Sequence, residues 1–167
     1  RARGNVVLNR SWDRIVKGIR FLPRFLQDYG SIEIILTAQR DPIARTMYVD
    51  LAGHAWVHFH TVPLLYPVEN PIAFTRALRR SDSSIKKEDT IWVIDLQGVE
   101  AVGTCLSQGL HLHQRVVALG GPGHAHPKHV SLRIGTPVTA LVDKNGNTFS
   151  YAILPLIKNV EFYDLLN

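Results

Sequence analysis

Three short runs dense in β-branched residues, at 31–37 (SIEIILT), 90–96 (TIWVIDL) and 115–119 (RVVAL), are separated by stretches whose apolar residues recur with a helical period. Strands alternating with amphipathic helices restrict the chain to α/β architecture and predict a largely parallel sheet. Ile15, Ile19, Leu22 and Leu26 fall at i, i+4, i+7 and i+11, which predicts a helix over residues 12–28 with Ser11 as its N-cap, a late kink at Pro23 and a stop at Gly30. Asp41 and Pro42 break the chain, residues 47–55 have no clear period, and residues 56–60 alternate as a half-buried strand. Asn70 before Pro71 is a helix start, because asparagine accepts from first-turn amides and proline gives up only an amide that would lack a partner anyway. That helix is expected to reach about Arg80, with a charged loop over 81–89 and a strand over 90–96. Val99, Val102, Leu106 and Leu110 mark a further helix, with Gly98 before it and Gly109 near its end.

The pattern changes after Gly120. Residues 120–127 (GGPGHAHP) read as a hairpin loop, 130–134 as a strand, and Thr136 and Pro137 as the start of a short helix through about residue 142. Asn145 and Gly146 form a tight-turn signal leading into a strand over 149–154. The expected organisation is a Rossmann-like α/β domain over residues 1–114, a mostly parallel sheet with flanking helices, followed by a small β-grasp-like α+β module over 115–167, truncated or divergent toward its end. A length of 167 residues suits one domain plus a small second one, and 46% apolar with 20% charged residues gives material for a core. The low-charge stretch 51–68 contains three histidines and two prolines, which makes it a poor spanning helix. A start at Arg1, with neither methionine nor signal peptide, reads as a piece of a longer polypeptide.

Composition excludes some chemistries. The single cysteine, Cys105, cannot complete a disulfide, an iron–sulfur cluster or a thiolate zinc site within this chain, and its apolar neighbours predict a buried, inert thiol. The glycines at 120, 121 and 123 lead into a strand and not a helix N-terminus, unlike a phosphate loop, and no G-x-G-x-x-G follows the strand at 31–37. Eight histidines are many, and apart from His54 they cluster as His58 with His60, His111 with His113, and His124, His126 and His129. His58 and His60 would share one strand face and could share a metal, but no third ligand is placed by sequence, so hydrogen-bonding imidazoles are the expectation. No catalytic, cofactor-binding or metal-ligating residue is assigned. The net charge of +5 is concentrated in Arg1, Arg3, Arg10, Arg14, Lys17, Arg20 and Arg24, and in Arg76, Arg79, Arg80, Lys86 and Lys87. These clusters read as solvated helix faces or as contacts for acidic lipid headgroups or an acidic protein. Nucleic acid is not expected, because Trp12, Phe21 and Phe25 would be buried by the helix instead of being exposed among the cations.

TIWVIDLQGVEAVG at 90–103, QGL at 108–110 and RVVALGGP at 115–122 resemble the middle of the A subunit of the Na+-translocating NADH:quinone reductase. RIGTP at 133–137 is similar to the β-grasp module that follows in that protein and in its relatives, the C subunit of the Rnf complex and the flavin-carrying subunit of respiratory complex I. Tyr66, Pro67 and the helix and strand over 12–37 fit the preceding Rossmann-like domain. The resemblance implies a non-catalytic fragment of a sodium-pumping NADH:ubiquinone oxidoreductase, peripheral on the cytoplasmic face of a bacterial inner membrane. Assembly and the quinone-side environment would be its role. It would bind no cofactor itself, with NADH, FAD, FMN and iron–sulfur centres in other subunits and ubiquinone as a possible neighbour. Its partners would be the other subunits, especially a membrane-embedded one, so membrane association would be indirect; charge reversal at Arg14, Lys17 and Arg20 would then weaken assembly. The alternatives are a flavin- or nicotinamide-dependent reductase domain like the complex I relative, against which the missing glycine loop argues, and an anion- or nucleic-acid-binding module.

Overall fold

The structure is a computed structural model that describes residues 4–26, 30–37, 42–62, 70–82, 84–120 and 126–141. The chain divides into two compact units. One spans Val7–Leu112, and the other holds the described residues from His113 on together with Gly4–Val6. The architecture is mixed α/β, with one parallel strand pair and one antiparallel pair among the described residues.

Helix α1 (Gly4–Phe21) starts earlier than its periodicity predicts, because Val7 and Leu8 extend the buried face toward the N-terminus. Ser11 lies within the helix and not at its cap. Its backbone (φ −133°, ψ 19°) leaves the helical region and kinks the axis there. The expected face is buried, with Ile15 at 0%, Ile19 at 4% and Leu22 at 6% exposure. Pro23 ends the α-helix instead of kinking it, and a 3-10 turn over Leu22–Phe25 follows.

Strand β1 (Ile32–Thr37), helix α2 (Pro42–Leu51) and strand β2 (Val57–Val62) form a β-α-β unit whose strands pair in parallel, Glu33 opposite His58 and Ile35 opposite His60. The sequence pattern missed α2. Its proline stands at the helix's first position, where it serves as a helix start, and Met47 and Leu51, one turn apart, are fully enclosed. Trp12 Nε1 donates to Asp50 Oδ2 at 2.7 Å, joining α1 to α2, and Tyr48 of α2 packs on Phe59 of β2 with ring centroids 5.2 Å apart.

Helix α3 (Pro71–Ser81) begins as expected, with Asn70 Oδ1 accepting from the Ile72 and Ala73 amides at 2.9 and 3.4 Å. The strand expected over 90–96 is absent. Residues 90–95 carry no ladder hydrogen bonds, Trp92 is 60% exposed and Val93 41%, and Asp95 instead caps helix α4 (Leu96–Gln108) through the Gly98 amide at 2.7 Å. A run rich in β-branched residues becomes a strand only where a neighbouring strand meets it. Gly98 therefore lies in the first turn of α4 and not before it. Gly109 closes the helix at φ 66°, a left-handed conformation that glycine adopts without Cβ strain. The buried face of α4 is Val99, Glu100, Gly103 and Thr104, while Leu106 and Leu110 of the expected apolar stripe are exposed.

Helices α1 and α4 meet backbone to backbone. A Cβ on Gly103 would overlap the Arg14 carbonyl oxygen and stand 2.7 Å from the Gly18 amide nitrogen, and a Cβ on Gly18 would overlap the Val99 carbonyl oxygen. Beside this crossing the Glu100 carboxylate accepts from Arg14 Nε at 2.9 Å and Arg14 Nη2 at 2.7 Å, and Nη2 also donates to Ser11 Oγ at 2.9 Å.

In the other unit, β3 (Gln114–Leu119) pairs antiparallel with β4 (Lys128–Arg133), so β3 does not extend a parallel sheet. The glycine-rich connection thus joins antiparallel neighbours. Thr136 and Pro137 lead into a single 3-10 turn, Val138–Leu141, shorter than the expected helix. The turn at 145–146, the strand at 149–154 and the Tyr66, Pro67 segment lie outside the described residues.

Candidate functional site

The parallel register of β1 and β2 brings three polar side chains to one face of the strand pair. Residues two apart on a strand share a face, so His58 and His60 stand side by side, and Glu33 on the neighbouring strand reaches both. Its Oε1 lies 3.0 Å from His58 Nδ1 and its Oε2 2.6 Å from His60 Nε2, while Ser31 Oγ donates to Oε1 at 2.5 Å. An ionised carboxylate only accepts, so each imidazole presents an N–H to it, His58 through Nδ1 and His60 through Nε2. The His60 and Glu33 side chains are largely covered and His58 is about half exposed.

Burial raises the Glu33 carboxyl's pKa, but hydrogen bonds from Ser31, His60 and His58 together with the nearby His58 charge outweigh it and hold the group below its ordinary 4.5. Asp82, at the end of α3, is likewise held below its ordinary value, first by the Ser84 hydroxyl and amide and in smaller part by the charges of His60 and His58. Two acidic groups therefore act electrostatically with this imidazole pair.

The group can hold and exchange protons between imidazole and carboxylate. A carboxylate-oriented imidazole is also half of a nucleophilic triad, but Ser31, the hydroxyl present, donates to Glu33 itself and not to an imidazole. The partner His58 and His60 share is a carboxylate, and among the described residues no group of three or more histidine, cysteine, aspartate or glutamate side chains is placed to hold a metal ion.

Because Glu33 has a folded pKa below its unfolded one, its ionisation contributes stability in full above about pH 4.5, and that contribution is lost as pH falls through the depressed folded value. Glu33→Gln is therefore expected to lower stability at neutral pH by about 1.5 kcal/mol, the scale of hydrogen bonds to a charged group, and to flatten the acid limb of stability against pH. Urea unfolding across the acid range reads both effects; an acid limb as steep as the parent's would exclude this role for Glu33.

Other residues singled out by the sequence are placed differently. Cys105 is exposed, correcting the expected buried thiol, because the neighbours Gly103 and Thr104 take the inward positions on α4. His54 stacks on Trp56 with centroids 4.8 Å apart, His111, His113 and His126 are exposed and His129 is half-buried. Of the first basic cluster, Arg10, Lys17, Arg20 and Arg24 are exposed, whereas Arg14 is committed to Glu100, which removes it from the expected docking set. Phe25 is 60% exposed, against the expectation that the helix would bury it. In the second cluster Arg76, Arg80, Lys86 and Lys87 are exposed, and Arg79 donates to the Asp89 carbonyl at 2.9 Å.

Sequence reasoning found the histidine pair and missed Glu33. The available signal was a lone carboxylate inside the apolar run IEIIL. Its partners depend on which strand lies alongside, which periodicity does not specify. No protein-family model matches the chain, and no curated protein does. No helix among the described residues is long and apolar enough to cross a membrane.

Proposed function

We propose that the chain is a peripheral part of the A subunit of a sodium-pumping NADH:ubiquinone oxidoreductase, serving assembly and the quinone-side environment, with the electron carriers in other subunits. The observation that carries this reading is the run over residues 90–122, which resembles the middle of that protein. Within that run lie the capped helix α4, its left-handed Gly109 and the β3 strand that follows. The β1-α2-β2 unit, with its strands adjacent and parallel, supports a Rossmann-like reading of residues 1–114. The antiparallel β3 and β4 pair with its terminal 3-10 turn supports a β-grasp-like reading of 115–167.

The test is an affinity pull-down of the tagged full-length parent protein from membranes of its own cells, with the co-purifying proteins identified by mass spectrometry. The other reductase subunits are expected in stoichiometric amounts. A parent protein recovered without any of them would end this assignment.

A further inference from the structure

We propose that the exposed side of α1 and its 3-10 extension is a docking surface for an anionic phospholipid membrane, with Arg10, Lys17, Arg20 and Arg24 as headgroup contacts and Phe25 as a shallow apolar anchor. This surface rests on the geometry of α1 and holds whichever complex the chain belongs to. Lys17, Arg20 and Arg24 are spaced by three and four residues, which places them on one side of a helix. Ile15, Ile19 and Leu22 occupy the opposite side, in the core. Arg10 continues the exposed series across the kink at Ser11, so the cations span about 21 Å at the helical rise per residue. All four are exposed, and none has an ion pair among the described residues. Asp13 on the same side is the single acidic residue of the series, which leaves a net charge of three positive. Arg14, the remaining cation of this stretch, is turned inward onto Glu100.

The chemistry favours a lipid surface over an acidic protein. Protein interfaces are centred on exposed apolar residues, and no large apolar residue between Arg10 and Arg24 is exposed: Phe21, on this side, is half-buried beneath the Arg24 guanidinium. Headgroups need only cations at the ends of long side chains together with a flanking aromatic that reaches the acyl boundary. Phe25 is placed for that at the end of the series, 60% exposed, next to Arg24, whose guanidinium lies 5.2 Å from the Phe21 ring centroid. The second basic cluster lacks such an aromatic on its own helix: Phe74 of α3 is half-buried.

Flotation of the full chain with two kinds of vesicle tests the surface, one of phosphatidylcholine alone and one of equimolar phosphatidylcholine and phosphatidylglycerol. The chain should float with the anionic vesicles only, and less so as salt rises. Each lost cation should weaken the partition about fivefold. The exposed-site variant R10Q/K17Q/R20Q/R24Q should therefore lose at least about a hundredfold. F25S should lose a smaller factor, and R76Q/R80Q/K86Q/K87Q should stay within about threefold of the parent, since its cations lie off this surface. Circular dichroism verifies that each variant is folded. Equal flotation with both vesicle types, unchanged flotation of the α1 variant, or a loss seen only in the second-cluster variant would overturn the proposal. Absence of flotation at low salt would overturn it too and leave an acidic protein as the partner of α1.

Discussion

Gly103→Ala is expected to destabilise the larger unit by about 3 kcal/mol, at the upper end of overpacking costs. The added methyl would overlap the Arg14 carbonyl oxygen, with the Gly18 amide nitrogen 2.7 Å away, so backbone blocks it on both counts and no side-chain rotation relieves the clash. Relief requires α1 and α4 to separate, which would also lengthen the Arg14 and Glu100 contacts beside the crossing. Gly18→Ala should behave similarly, since its Cβ would overlap the Val99 carbonyl oxygen. Gly53 supplies the control: nothing lies within 4 Å of its Cβ position, and G53A should stay within about 0.5 kcal/mol of the parent. Urea unfolding checks the set, with a lower midpoint at unchanged slope as the expected signature for the crossing glycines. A G103A midpoint equal to that of G53A would mean that the two helices do not cross at this distance.

Arg14→Met is expected to cost about 3 kcal/mol, because it leaves the carboxylate of Glu100, whose side chain is 6% exposed, without its charge partner. The cost arises mainly from the stranded charge and only in lesser part from the ion pair itself, whose arginine keeps 37% of its side-chain surface in water. Removing the carboxylate as well separates the two contributions. R14M/E100L should recover most of the loss, since replacing both partners of a buried pair by apolar groups is often close to neutral. A double-mutant cycle in urea measures the coupling. A double variant no more stable than R14M would show that Glu100 is needed for packing and not as the partner of Arg14. The same pair bears on partner binding: a cation committed to Glu100 is not available to an external anion, so R14M should leave vesicle flotation unaltered while it lowers stability.

The local code of this chain was legible wherever one residue's chemistry suffices. Asn70 before Pro71 starts α3, Gly109 stops α4, and the spacing of Ile15, Ile19 and Leu22 identifies the inward face of α1, because capping, φ preference and helical period act within a few residues. Local signals with two meanings mislead. Asp41 and Pro42 have the composition of a break, yet Pro42 is the first residue of α2, and the run at 90–96 has strand composition but pairs with no strand among the described residues.

The candidate site divides along the same line. The shared face of His58 and His60 follows from the two-residue period of any strand, so their pairing was visible in the sequence. That Glu33 is the group they hold, and that its carboxyl is kept ionised below its ordinary range, came only from the parallel alignment of β1 with β2. Likewise the sequence determined that α1 carries a basic side opposite an apolar one, whereas the tertiary structure decided that Arg14 leaves that side for Glu100 and that glycines at 18 and 103 let the helices meet. The physical reason is range: period, caps and charge spacing are set by neighbours along the chain, while ion pairs and close approaches depend on which distant segment occupies the adjoining space.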